Sequence, residues 1–142
     1  MTRLNWGMIG GGEGSQIGPV HRICAALDGQ FSMVAGALDI DPAKGRAFAE
    51  RLGVAPDRAY GDWREMLAGE KDRPDRIDLV TVATPNATHY AITKAFLEAG
   101  INVLCEKPMT VTVEEAEDIA ATAARTGAVC AVNYGYTGYP LV

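Results

Sequence analysis

Gly10-Gly11-Gly12-Glu13-Gly14-Ser15-Gln16-Ile17-Gly18 is the stretch on which the reading of this 142-residue chain turns. It places five glycines in nine residues, directly after the apolar run Leu4 to Ile9. Residues without a Cβ let the backbone bend sharply off a strand. They also leave bare N–H groups at the start of a helix, where the macrodipole favours a phosphate. In the simplest Gly-x-Gly-x-x-Gly reading, Gly10 and Gly12 are the first two glycines and Ser15 stands at the third. The motif is therefore incomplete alone, and its surroundings must support it.

Outward from the turn, Leu4 to Ile9 reads as a buried strand and Gly18 to Leu27 as the helix that follows. Phe31 to Leu38 is a second apolar run without strict alternation, as expected of a strand covered on both faces. Asp41 and Pro42 supply an N-cap and a first helical residue for a helix to about Leu52, with Gly53 behind it. The text from Val54 to Arg76 is more polar. Asp62 and Glu65 have capping-box spacing for a short helix over Asp62 to Ala68, and Lys71 to Arg76 reads as a solvated charged loop.

Ile77 to Ala83 is the next strand, ended by Thr84-Pro85-Asn86. His89 to Ala99 has apolar residues at helical spacing and stops at Gly100, and Ile101 to Cys105 is a short strand before Glu106-Lys107-Pro108. Thr112 and Glu115 offer a second capping box for a helix ending near Gly127. Ala128 to Val132 is the last strand. The alternation predicts an α/β fold, a doubly wound parallel sheet with helices on both faces, because parallel strands require crossovers and these are right-handed.

The length suits one ordinary domain, and 48% hydrophobic residues suffice for a real core. A formal charge of −5 argues against nucleic acid or an anionic membrane as partner. Cys24, Cys105 and Cys130 are widely spaced and form no metal-ligand pattern, so free thiols in a reducing compartment are expected. Met1 to Trp6 enters a strand almost at once, with no long apolar segment of a secretory signal or a membrane span. A cytoplasmic location is the expectation.

Ligands of open parallel sheets bind outside the carboxyl ends of the strands. Three polar stretches follow predicted strands in this way: the glycine turn, Thr84-Pro85-Asn86 and Glu106-Lys107-Pro108. The combination reads as a dinucleotide site, with Gly10, Gly12, Ser15, Gln16 and Ile17 at the phosphates. Asp39, at the end of the second strand, can accept both hydroxyls of an adenosine ribose and would repel a 2′-phosphate. That favours NAD, with NADP possible. Asp39 could instead only cap the next helix, but Asp41 is better placed for that.

Lys107 is the candidate for chemistry. Beside a nicotinamide, its ammonium can hydrogen-bond the reacting oxygen and stabilise negative charge developing there. The competing reading is an exposed lysine paired with Glu106. His21 and His89 each lie near a helix start and read as capping or packed side chains, His89 being closer to the ligand edge. Cys105 reads as a small buried hydrophobe rather than a nucleophile.

At this point Gly7 to Gly12, Ile17 to His21, Ala37 to Pro42, Thr84-Pro85-Asn86 with His89, and Glu106-Lys107-Pro108 together resemble the Gfo/Idh/MocA family (glucose-fructose oxidoreductase, inositol dehydrogenase, rhizopine catabolism) of NAD(P)-dependent oxidoreductases. The resemblance covers essentially the whole chain. It implies an N-terminal Rossmann domain, here residues 1–132, followed by a C-terminal α/β domain that closes the substrate pocket and often builds a homo-oligomer. Residues 133–142 would then begin a linker.

The resemblance further implies that Lys107 matches the catalytic lysine and that Glu106 and His89 line the nicotinamide end. Thr84, Pro85 and Asn86 join the cofactor set, and no metal is implied. The turn is longer than usual, so that Ile17-Gly18 takes the role of the usual Ile-Gly. The family's C-terminal acid/base histidine has no counterpart in this chain. The implied activity is hydride transfer between a nicotinamide cofactor and a carbinol of a sugar, cyclitol or similar polyol. This chain alone is expected to bind a dinucleotide but hardly to turn over substrate. The alternative is a non-catalytic module that binds or senses a dinucleotide.

Overall fold

In the computed structural model of the chain, residues 3–140 are described. Met1 and Thr2 of the N-terminal stretch, and Leu141 and Val142 of the expected linker, lie outside the described residues. The strands are β1 (Leu4–Gly10), β2 (Phe31–Ala37), β3 (Leu79–Ala83), β4 (Asn102–Glu106) and β5 (Cys130–Asn133). The helices are α1 (Ile17–Ala26), α2 (Pro42–Arg51), α3 (Trp63–Glu70), α4 (His89–Glu98) and α5 (Val113–Thr126). All strand pairs are parallel, in the order β2-β1-β3-β4-β5. The chain leaves β1 in one direction to reach β2 and returns to β1's other side with β3, so the switch point of the sheet lies between β1 and β3.

Two cores follow from the pleat. Ile9, Val80, Val82, Val103 and Cys105 face one side, where they pack with Met66 of α3, Ile92 and Phe96 of α4 and Ile119 of α5. Trp6 and Met8 face the other, packing with Ala49 of α2 and Ala25 of α1. Strands buried on both faces need no polar alternation, which is why they read as continuous apolar runs. In β2 the register with β1 slips between Trp6 and Gly7, so that Trp6 pairs with Met33 but Gly7 with Ala35. The extra residue, Val34, inverts the alternation: Phe31 and Met33 join the α1 side, while Ala35 and Ala37 join the α4 side.

After α2, where a doubly wound half would place another strand, the chain makes only one parallel bridge, Gly36 with Ala59. The next segment, Lys71 to Arg76, is a largely exposed charged loop, as expected. Within it, Arg73 binds Asp75 and Asp57, and Arg76 donates to the carbonyls of Ala99 and Gly100. A buried pair lies beneath it. Arg58 binds Glu70 through two bonds of 2.9 and 2.5 Å and also donates to the Asp75 carbonyl. Tyr60 donates to Glu70 at 2.9 Å, and the Ile77 amide donates to it at 3.1 Å. Burial, with the neighbouring Glu70 carboxylate, pushes the Tyr60 phenol up to about 12.

Helix starts are set locally. Asp41 accepts from the amides of Ala43 and Lys44 ahead of Pro42. Asp62 and Thr112 likewise cap α3 and α5. In both expected capping boxes the returning glutamate reaches one residue further back, Glu65 to the Gly61 amide and Glu115 to the Val111 amide.

Candidate functional site

The register brings the three sequence-predicted turns to one edge. Gly10 pairs with Ala83, and Val82 pairs with Cys105. The glycine turn, Thr84 and Glu106 therefore leave the sheet side by side at the carboxyl ends of β1, β3 and β4.

The glycine turn is built by close approach. Gly10, Gly11 and Gly14 have φ of 74°, 68° and 81°, a region that L side chains rarely enter. A Cβ on Gly12 would lie 2.2 Å from the Leu38 carbonyl oxygen, and one on Gly18 would lie 2.0 Å from the Gly11 carbonyl oxygen. Gly18, not Ser15, is thus the residue at which helix and strand end touch, three positions later than the simplest spacing. Ser15 acts differently: its hydroxyl accepts from the Gly18 amide at 3.0 Å and caps α1. Gln16 is exposed and Ile17 half-buried at the helix start. The lengthened loop is tied down by Arg22, which donates to the Gly11 carbonyl at 2.7 Å, and by a 2.8 Å ion pair between Arg51 and Glu13. The guanidinium groups of Arg22 and Arg51 both lie on the Phe48 ring.

Asp39 is half-buried just past β2, and its Oδ1 accepts from the Asp41 amide at 2.9 Å. The two carboxylates divide their work as expected, because capping of α2 falls to Asp41. Helix α2 approaches Asp39 at Gly45, where a Cβ would lie 3.0 Å from the Asp39 amide nitrogen. Thr84 is half-buried and its hydroxyl accepts from Thr88 at 2.7 Å, while Pro85 and Asn86 are exposed.

At the end of β4, Lys107 is exposed and Glu106 buried. The Glu106 carboxylate is held by three donors: His21 Nε2 at 2.7 Å, the Asn133 amide group at 2.6 Å, and the backbone N–H of Lys107 at 3.2 Å. Carboxylate oxygens only accept, so His21 carries a proton on Nε2. Burial alone would raise the pKa of Glu106, but the bonds from Asn133 and His21 outweigh it and hold the group below the usual carboxylate range.

His89 is fully buried beneath the turns. Its Nδ1 lies 2.7 Å from the Pro108 carbonyl and its Nε2 2.8 Å from the Thr84 carbonyl. The ring therefore sits between the ends of β3 and β4, with one nitrogen against a carbonyl of each turn and its N–H donated to one of them. Cys105 is buried, and burial pushes its thiol up to about 11, which suits a packed hydrophobe and not a nucleophile. Among the described residues no cluster of His, Cys, Asp or Glu could hold a metal ion.

Sequence reasoning missed two participants, Asn133 and Arg22, and the partner of a third, His21. Asn133 fell in the expected linker, although β5 continues through it and its register partner is Glu106. Arg22 carried no motif signal. His21 was read as a capping or packed residue, and its partner 85 positions away could not be named from spacing.

Comparison with known proteins follows this geometry closely. The family model described as an oxidoreductase family with an NAD-binding Rossmann fold matches residues 4–134. An uncharacterised oxidoreductase of Bacillus subtilis, YfiI, is 47% identical over 136 residues, covering 95% of this chain and 35% of that protein. Levoglucosan dehydrogenase of Pseudarthrobacter phenanthrenivorans is 33% identical over 149 residues, covering 100% of this chain and 36% of that protein. Among solved structures, an inositol dehydrogenase homologue of Azotobacter vinelandii complexed with NADH and myo-inositol superposes with a TM-score of 0.95 at 51% identity, over 99% of this chain and 37% of that one. The chain thus spans just over a third of the length of these relatives.

Proposed function

The chain belongs to the Gfo/Idh/MocA oxidoreductase family and is an NAD-binding Rossmann domain, and from that premise we propose that its glycine turn, Asp39 and Lys107 hold a nicotinamide dinucleotide for hydride exchange with a sugar, cyclitol or related polyol. The carrying observation is the glycine turn. Its backbone meets Leu38 and α1 with no room for a Cβ at Gly12 or Gly18, so its amides can stand against a phosphate. The residues present therefore fit the cofactor.

Each residue then has a task. Gly10, Gly12, Ser15, Gln16 and Ile17 surround the pyrophosphate at the positive end of α1. Asp39 accepts the adenosine ribose hydroxyls, and its charge opposes a 2′-phosphate, so NAD is preferred over NADP. Thr84, Pro85 and Asn86 form the neighbouring wall of the cleft. When bound, the nicotinamide supplies the hydride acceptor or donor. Lys107 hydrogen-bonds the oxygen of the reacting carbinol, holds or releases its proton, and stabilises negative charge on it. Glu106 and His89 serve the nicotinamide end from below the turn.

The substrate class is supported by a relative named for levoglucosan and by a solved homologue complexed with myo-inositol. No helix among the described residues is long and apolar enough to cross a membrane. We place the whole enzyme in the cytoplasm as a homo-oligomer that does not engage nucleic acid. Calorimetric titration of the chain with NAD, NADH and NADP tests the reading. Saturable binding with NAD(H) favoured is expected. Absence of binding, or preference for NADP, would overturn the assignment of the turn or of Asp39 respectively.

A further inference from the structure

The chain's two histidines grip the residues on either side of Lys107, from opposite faces of the sheet. From α1, His21 binds the Glu106 side chain, whose other oxygen accepts the Lys107 amide. From α4, His89 sets its Nδ1 2.7 Å from the carbonyl of Pro108 and its Nε2 2.8 Å from the carbonyl of Thr84, donating to the one that its N–H faces. Both rings are buried, whereas Lys107 is exposed. We infer that His21 and His89 are positioning residues that fix Lys107 by clamping the turn that carries it, His21 through the Glu106 carboxylate and His89 through the Pro108 and Thr84 carbonyls.

The physical case rests on what an exposed lysine lacks. Its flexible stem is not held by packing, so the placement of its ammonium depends on where the backbone leaves β4. Backbone at a strand end has lost its ladder partners and needs other bonds to define it. Here Glu106 provides a charged acceptor fixed by α1 and β5 together, through His21 and Asn133. His89 wedges its ring between two turns, donating its one N–H to the carbonyl that faces it and packing its other nitrogen against the second, so the ends of β3 and β4 keep a constant separation. Helix α1 also begins at the glycine turn, so its bond to Glu106 ties the phosphate end of the cleft to the lysine.

This inference rests on the role proposed above for Lys107, and the test separates the two. NADH affinity is measured on this chain by fluorescence titration, and turnover in the whole oxidoreductase at the length of its relatives. Variants are His21→Ala, His21→Gln and His89→Gln, each alone and with Lys107→Ala, with circular dichroism confirming the fold. His21→Ala should lower kcat on the order of tenfold to a hundredfold, as expected when a reacting group is misplaced by a fraction of its length. NADH affinity should stay within about twofold, since the glycine turn is untouched. His21→Gln, which keeps an N–H donor toward Glu106, should recover most of the loss.

The decisive comparison is the double-mutant cycle. If the histidines act through Lys107, neither His21→Ala nor His89→Gln lowers kcat further once Lys107 is alanine. Unchanged kcat in His21→Ala, a fully additive loss in the Lys107→Ala background, or no recovery with glutamine would overturn the clamp. His89 is the more deeply buried of the two, so the His21 pair carries the conclusion should His89→Gln lose its fold. A wild-type chain that binds no NADH would instead remove the dinucleotide reading, and the clamp with it.

Discussion

Gly18 stands against the carbonyl of Gly11 so closely that a Cβ on it would lie 2.0 Å from the oxygen. Helix α1 and the end of β1 therefore meet backbone to backbone. Gly18→Ala must push the helix away from the strand or twist the turn. We expect a loss of about 1–3 kcal/mol in unfolding free energy from this overpacking, measured by urea denaturation. NADH affinity should weaken as well, because the amides of the turn move with the helix. An alanine variant with wild-type stability and affinity would show that the turn does not depend on this contact.

Asp39 is fixed by the Asp41 amide and by the approach of α2 at Gly45. Asp39→Ala should weaken NAD binding on the order of tenfold to a hundredfold, the range for losing hydrogen bonds to a charged group. NADP affinity should fall less or rise, since the repulsion of the 2′-phosphate is gone. Titrating both dinucleotides against both proteins gives the ratio, which should move toward NADP.

Glu70 is completely buried between Arg58, Tyr60 and the Ile77 amide. Removing it leaves a buried guanidinium with only the exposed Asp75 carboxylate, 3.5 Å away, as counter-charge. Glu70→Ala should cost about 3–5 kcal/mol, enough to unfold much of the chain at moderate denaturant. Replacing Arg58 and Glu70 together by apolar residues should cost far less than the single change. Thermal melts of the two variants beside the wild type decide this.

The depressed pKa of Glu106 makes a pH statement. A carboxyl group with a folded pKa below its unfolded value, about 4.3 for Glu, stabilises the fold above that value and loses the contribution as pH falls through the folded pKa. The stability advantage of wild type over Glu106→Gln should therefore be full near neutral pH and shrink in the acid range below about 4. Denaturant melts at several pH values measure it. An advantage that grows on acidification would contradict the network with His21 and Asn133.

What could be read from sequence was what local chemistry decides. The glycine turn, the Asp41-Pro42 helix start and the order of strands and helices all depend on residues within a few positions of one another. The inversion in β2 was hidden because both faces are buried, so one extra residue at Val34 leaves no mark in an apolar run. Asn133 and His21 converge on Glu106 only through the register of β5 and the crossover of α1, which no spacing reveals. Lys71 to Arg76 is the exposed loop that its charges suggest, but its contacts were hidden for a related reason. A run of charges reads as solvated, and nothing in it tells that Glu70 and Arg58 face each other beneath it. His89 shows a further limit: its position was legible, but the placing of its two ring nitrogens against carbonyls was not.

The lone bridge between Gly36 and Ala59 bears on how the domain keeps apart from its own copies. The outer side of β2 is a row of backbone groups that could recruit a strand from another molecule. The chain lays Ala59 and Tyr60 against that row, with the Tyr60 amide donating to the Gly36 carbonyl at 2.8 Å, and then turns away into α3. A single residue's pairing, anchored from behind by the buried Tyr60–Glu70–Arg58 network, interrupts the template before it can propagate. Loosening that network should thus do more than lower stability: it would uncover a sticky margin and turn a folding defect into an aggregation defect.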